Sequence, residues 1–176
     1  MKYIELKLLC QLLRNSRTSD RELARLIGVS QPTITRTRSK LEQQGVIEYG
    51  GVPNLGKLGF EILAFTFAKE KSESERDVKV PNNKNFINNH PNLIFVSTGR
   101  SSFSDNIAVS VHKNYSDYAR YMQEIRESWA RNMTISDSFI ISLTTDNILR
   151  TITFRYLADC LEKEIPSNKG ISTANR

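Results

Sequence analysis

Apolar residues recur at helical spacing over the first 45 positions. In YIELKLLCQLLRN (residues 3–15), Leu8, Leu9 and Leu12 stand at i, i+1 and i+4, with Leu13 beside them. That spacing predicts a helix with one buried stripe. Ser16 to Thr18 interrupt it, and SDRELARLIG (19–28) begins a second helix with Leu23, Leu26 and Ile27 facing inward. Ser19 followed by Glu22 predicts a capping box, and Gly28 supplies a left-handed stop. Ser30 then caps a third helix, with Pro32 in its first turn and Ile34 and Leu41 on one face. It is expected to run to about Gln44, with Gly45 ending it.

After Gly45 the period changes. VIEYGGVPNLGKLG predicts a short β-ribbon and a connector, and its glycines and Pro53 place a domain boundary near residue 53. FEILAFTFA (60–68) is an apolar run of the kind a strand covered on both faces shows. KEKSESERDVK predicts a solvated loop and PNNKNFINNHP a short helix. NLIFVST and NIAVSVH predict two strands joined as a hairpin by GRSSFSD. From Tyr115 to about Met133, Tyr118, Met122, Ile125 and Trp129 predict an amphipathic helix. SDSFIISLTT predicts a fourth strand. RTITFRYLADCLEKE predicts a last helix carrying Phe154, Leu157 and Leu161. The order β-α-β-β-α-β plus a terminal helix is the ferredoxin-like pattern, so the fold class expected is α+β. The expected division is a winged helix-turn-helix at 1–53, a ferredoxin-like domain at 54–165 and a flexible tail at 166–176.

Charge sharpens this picture. The chain of 176 residues carries a net +6, and residues 1–50 alone hold nine Lys/Arg against five acids. Acidic partners are therefore favoured, with nucleic acid and anionic membrane both candidates. The N-terminal apolar run is broken by Glu5 and Lys7, so it predicts neither a signal peptide nor a membrane span. Two cysteines and two histidines lie scattered. No metal site or cofactor is expected, and a reducing cytoplasm fits best.

Helices two and three are joined by GVS, a linker that permits only a sharp turn. In a helix-turn-helix the second helix enters the major groove with its N-terminal residues at base edges. Those positions are Ser30, Gln31, Pro32, Thr33, Thr35 and Arg36. Gln pairs with adenine and Arg with guanine, while Thr offers a hydroxyl or a methyl. Arg38 and Lys40 lie further along and are expected to reach phosphates, with Arg17, Arg21 and Arg25 as further candidates. Taken alone, this helix fits a solvated basic face equally well. The ordered composite of cap, Ala24, glycine turn, basic helix, glycine stop and ribbon favours double-stranded DNA.

These residues carry a resemblance. Glu5, Leu8, Leu9, Leu12, Asn15 and Arg17 match an opening acid followed by I-L-x-x-L-x-x-N-x-R. Glu22, Leu23, Ala24, Gly28 and Ser30 match E-L-A-x-x-x-G-x-S. Leu41, Glu42, Gly45 and Ile47 match L-E-x-x-G-x-I, and Leu58-Gly59 matches the L-G before the first sheet strand. The sequence resembles the leucine-responsive regulatory protein/AsnC (Lrp/AsnC) family of prokaryotic transcription regulators, in an archaeal branch. The resemblance covers residues 3–68 by motif and the remainder by element order. It implies a winged helix-turn-helix joined to a ferredoxin-like domain that dimerises or assembles further and binds amino acids. An apolar sheet face carrying Phe65 and Phe67 independently predicts a partner subunit, hence a homo-oligomer on a palindromic operator.

The chain departs from the family twice. Thr37-Arg38 stands where Arg followed by an apolar residue is usual. Arg38 either sends its head to a phosphate over a buried stem or marks a helix that sits differently. The family's effector loop, G-x-x-D, is lengthened here to Gly99-RSSFS-Asp105. Effector binding at Thr98, Gly99 and Asp105 stands against a plain polar hairpin tip, which the insertion favours. His90 reads as a loop residue and His112 as an edge histidine. Tyr118 is expected in the core, and Tyr115 and Tyr121 on the surface. Neither an anion-cradling glycine loop nor a nucleophile beside a base is present, so an enzyme is not expected. The alternative to a sequence-specific regulator is a winged-helix module for protein contacts or an architectural chromatin protein.

Overall fold

The computed structural model describes residues 1–72, 87–129, 133–145 and 148–165. Its elements are α1 (Tyr3–Arg14), α2 (Asp20–Ile27), α3 (Gln31–Gln43), β1 (Ile62–Glu70), β2 (Leu93–Thr98), β3 (Asn106–His112), α4 (Tyr115–Trp129), β4 (Met133–Ser142) and α5 (Leu157–Glu162). They form two compact units. One is Met1–Val52 together with the chain from Thr151 onward, and the other is Pro53–Arg150.

In the first unit the helices start and stop where local chemistry directs. The Ser19 hydroxyl accepts the Glu22 amide at 3.3 Å, and Gly28 ends α2 at φ 82°. A side chain at that φ would meet its own backbone, so glycine is required. The α3 start differs from expectation: Ser30 Oγ bonds the Thr33 hydroxyl at 2.8 Å rather than a helix amide. Leu8, Leu9, Leu12, Leu23, Ala24, Ile34 and Leu41 form one core. Each fully buried Leu or Ile there contributes about 1.5–3 kcal/mol. Leu26, expected inward, is exposed, because α2 turns only Leu23 and Ala24 fully into the core. The expected ribbon after Gly45 carries no strand ladder. The Val46 amide bonds back to the Leu41 carbonyl and Ile47 packs on the core, while Gly50, Gly51 and Pro53 offer no second strand to pair.

The last helix belongs to this unit, not to the 54–165 domain to which the sequence order assigned it. Its buried residue is Ala158, with Leu161 packed on the α1–α3 core; Phe154 and Leu157 are exposed. Small Ala158 permits close approach to α1. The Arg14 guanidinium clamps the pair, reaching Asp159 at 2.7 Å and also binding Glu162. That bond holds the Glu162 carboxyl below its usual pKa. The expected tail at 166–176 lies outside the described residues.

The second unit is a four-stranded antiparallel sheet in the order β2-β3-β1-β4, the ferredoxin-like arrangement. Alternation along β1 divides its residues. Ile62 and Ala64 pack against Tyr118, Tyr121, Met122 and Ile125 of α4. Leu63 joins Val109 and Val111 on the other face, with Phe65 against them. Tyr121 is buried, not at the surface as expected, because it stands three residues after Tyr118 and four before Ile125 on the packed side of α4. His112 is no edge residue. It lies on an interior strand, fully buried, with Nε2 2.8 Å from Ser110 Oγ and its ring against Tyr118 and Tyr121. α4 ends at Trp129, short of the expected Met133, which opens β4. Of the helix expected in PNNKNFINNHP, only a turn at 87–89 is described, and most of the KEKSESERDVK run lies outside the described residues.

Candidate nucleic-acid interface

Helix α3 has two sides. Ile34 and Leu41 fill the core, whereas Gln31, Pro32, Thr35, Arg36, Ser39 and Lys40 are exposed. Their spacing of three and four residues lines one helix face. Sharing this unit's surface are exposed Arg17, Arg21 and Arg25. A helix with its apolar side buried and this polar side open can enter a groove as wide as a helix.

The candidate residues separate by what their side chains already hold. Arg36 forms no ion pair among the described residues, and Gln31 is likewise open. Ser30 and Thr33 share a hydroxyl–hydroxyl bond, and Pro32 occupies the first turn. The Thr35 hydroxyl donates to Asp20 Oδ2 at 2.7 Å. Arg38 points inward: Nη1 lies 2.8 Å from Asp20 Oδ1, and Nη2 donates to the Thr18 carbonyl at 3.0 Å. Its guanidinium also lies 5.9 Å from the Tyr49 ring centroid. The Arg38 side chain, expected to reach a phosphate, sits half-buried between α2 and α3 with its head on Asp20. Lys40 binds the Glu5 carboxylate of α1. Lys40 first, and then the Lys2 backbone amide, hold that carboxyl below its usual pKa. Among the described residues, Arg36, not Arg38 or Lys40, is the cation of α3 without such an acid partner.

Sequence reading missed Asp20 and Glu5. A signal existed for the first: a guanidinium in a slot that favours an apolar side chain needs an acid within reach. Glu5 carried no comparable signal, since Lys40 is 35 residues away.

The second candidate site is the β2–β3 hairpin. The Gly99 amide donates to the Asp105 carbonyl at 2.8 Å, and Ser101 bonds Ser104 inside the tip. Thr98 and Gly99 are exposed. Asp105 is anchored to the end of β1, donating its amide to the Ala68 carbonyl and accepting the Glu70 amide on Oδ2 at 3.2 Å. Thr98, Gly99 and Asp105 are thus brought to one hairpin. Among the described residues no group of three or more metal-ligating side chains occurs, and no helix is long and apolar enough to cross a membrane.

Residues 1–48 match the winged helix-turn-helix DNA-binding domain family. The leucine-responsive regulatory protein of Rhizobium meliloti is 35% identical over 77 residues, which is 43% of this chain and 49% of that protein. The matched stretch spans about half the length of the first curated relatives. A crystal structure of an AsnC family transcriptional regulator from Agrobacterium tumefaciens superposes with a TM-score of 0.68 at 16% identity, covering 87% of this chain and 94% of that one. A Neisseria meningitidis transcriptional regulator in complex with L-Met gives a TM-score of 0.68 at 14% identity, covering 87% and 95%. Residues 1–48 are thus similar to a winged helix-turn-helix DNA-binding domain, and the fold of the chain is that of the solved AsnC family regulators.

Proposed function

We propose that this protein is a sequence-specific, double-stranded-DNA-binding transcription regulator that places α3 in the major groove. The observation that carries the reading is the two-sided α3: Ile34 and Leu41 buried, Gln31, Thr35 and Arg36 open. Gln31 and Arg36 serve as base readers, and Arg17, Arg21 and Arg25 as phosphate contacts. Lys40 reaches a phosphate by leaving Glu5. The protein acts as a homodimer through the open face of its sheet, on a palindromic site. Selection of genomic fragments by the purified protein, with a salt titration, tests this. Enrichment of a palindrome whose affinity falls steeply with salt is expected. Uniform binding to all fragments would make it an architectural protein, and no binding at low salt would make it a protein-contact module.

An amino-acid effector at Thr98, Gly99 and Asp105 is the finer part of this reading, supported by the L-Met complex of the Neisseria regulator. Calorimetric titration with the free L-amino acids tests it. Heat from one of them, abolished by Asp105→Ala, is expected.

A further inference from the structure

Asp20 touches α3 twice. One carboxylate oxygen accepts the Thr35 hydroxyl at 2.7 Å, and the other lies 2.8 Å from Arg38 Nη1. Thr35 and Arg38 stand three residues apart, on neighbouring turns of one helix side. Two anchors on one side fix a helix against rotation about its own axis. Both Asp20 and Arg38 have side chains about one-fifth exposed, so water screens the pair only partly.

Stability alone does not account for this arrangement. Arg38 Nε is buried without a hydrogen-bond partner. A half-satisfied buried ion pair is commonly matched or bettered by an apolar side chain of similar volume. What the pair supplies instead is geometry. It also bears on Thr35, whose hydroxyl proton is directed to Asp20 Oδ2 at 2.7 Å, with the Gln31 carbonyl at 3.2 Å as its second acceptor, and is not offered to a base acceptor. What remains for a base is an accepting hydroxyl oxygen and the exposed methyl, and the complement of that methyl in the major groove is the C5-methyl of thymine.

We infer that Asp20 is a positioning residue for DNA recognition: it sets the rotation of α3 through Arg38 and makes Thr35 a reader of the thymine methyl. This rests on the DNA-binding reading above. Asp20 itself touches no base; it acts through its two partners, and Arg36 faces the groove because they hold the helix.

The test uses the full chain, the duplex obtained by selection and a scrambled duplex of equal length. Deoxyuridine replaces each thymine of the selected site in turn. Wild type is expected to lose about fourfold in affinity at one such position, the worth of one methyl. Thr35→Val keeps that sensitivity, and Thr35→Ser, which retains the bond to Asp20, abolishes it. Asp20→Asn is expected to lower the ratio of selected to scrambled affinity about tenfold while leaving scrambled-duplex affinity at low salt within about twofold. A purely structural role would weaken both duplexes alike. The inference is overturned if Thr35→Ser keeps wild-type uracil sensitivity, or if Asp20→Asn keeps the wild-type ratio. Thr35→Ser decides the matter even should Asp20→Asn fail to fold. Wild type that prefers no duplex overturns the DNA-binding reading, and this inference with it. Wild type that prefers the selected duplex, with Thr35→Ser unchanged, overturns this inference alone.

Discussion

Arg36 and Arg38 are two residues apart and of one type, yet their side chains end in opposite surroundings. The first ends in solvent; the second ends on Asp20. Arg36→Ala should therefore cost about 1–3 kcal/mol of binding to the selected site and relax its sequence preference. Fluorescence anisotropy with the selected and scrambled duplexes reads both effects; unchanged affinity and preference would place α3 outside the groove. His112 illustrates the same dependence on surroundings. Burial pushes its pKa below the ordinary value, against the opposing pull of Asp117 at 3.8 Å. The folded chain thus keeps His112 neutral, while the unfolded chain takes up a proton near the ordinary value of 6.5. Stability is full above that pH and declines as pH falls below it. The thermal midpoint of wild type is expected to drop between pH 7 and pH 5, and His112→Gln should flatten that dependence. From the sequence, the capping serine, the turn glycine and the buried Ile34 and Leu41 were all legible, because each signal is local. The burial of His112 was not, because one residue's exposure depends on which strand ends up interior.

At the scale of elements, α3 is held by acids on its two neighbours: Asp20 from α2 and Glu5 from α1. On the proposed reading, the Glu5–Lys40 pair competes with DNA for one ammonium group. Glu5→Gln frees it, and the expected result is tighter binding to scrambled DNA. The slope of log affinity against log salt should steepen by about one. An unchanged slope would mean that Lys40 meets no phosphate. Periodicity made the three helices readable to within a residue or two, since an amphipathic stripe is written in the chain itself. It misjudged the last helix, whose exposed Phe154 and Leu157 outnumber the one small residue, Ala158, that is buried. A stripe rule weighs size and cannot see that α1 requires a small neighbour. The ribbon failed for a related reason: Val46 and Ile47 suit a strand, but a strand needs a partner, and the glycines and proline that follow supply none.

For the molecule as a whole, the sheet's open face is the surface proposed for subunit contact. Phe95, Val109, Phe65 and Phe139 lie in one row across all four strands, and the two outer phenylalanines are 54% and 63% exposed. A row of that kind is costly to leave in water and suits a second copy of the same chain. Phe139→Asp should convert a dimer to a monomer by light scattering and reduce affinity for a palindrome while sparing a half-site. An unaltered mass would move the subunit contact elsewhere. The strand order and this face followed from element order and from the apolar run at 60–68, because a ferredoxin-like sheet with its helix on one side must leave the other side bare. The division of the chain did not follow. The polypeptide leaves its first unit near Val52 and re-enters it at Thr151, so the head is assembled from two separate stretches of the chain. Anyone grafting this head onto another regulator by a single junction near residue 53 would leave behind the helix that rests on α1. A chimera that keeps this helix with its head needs two junctions.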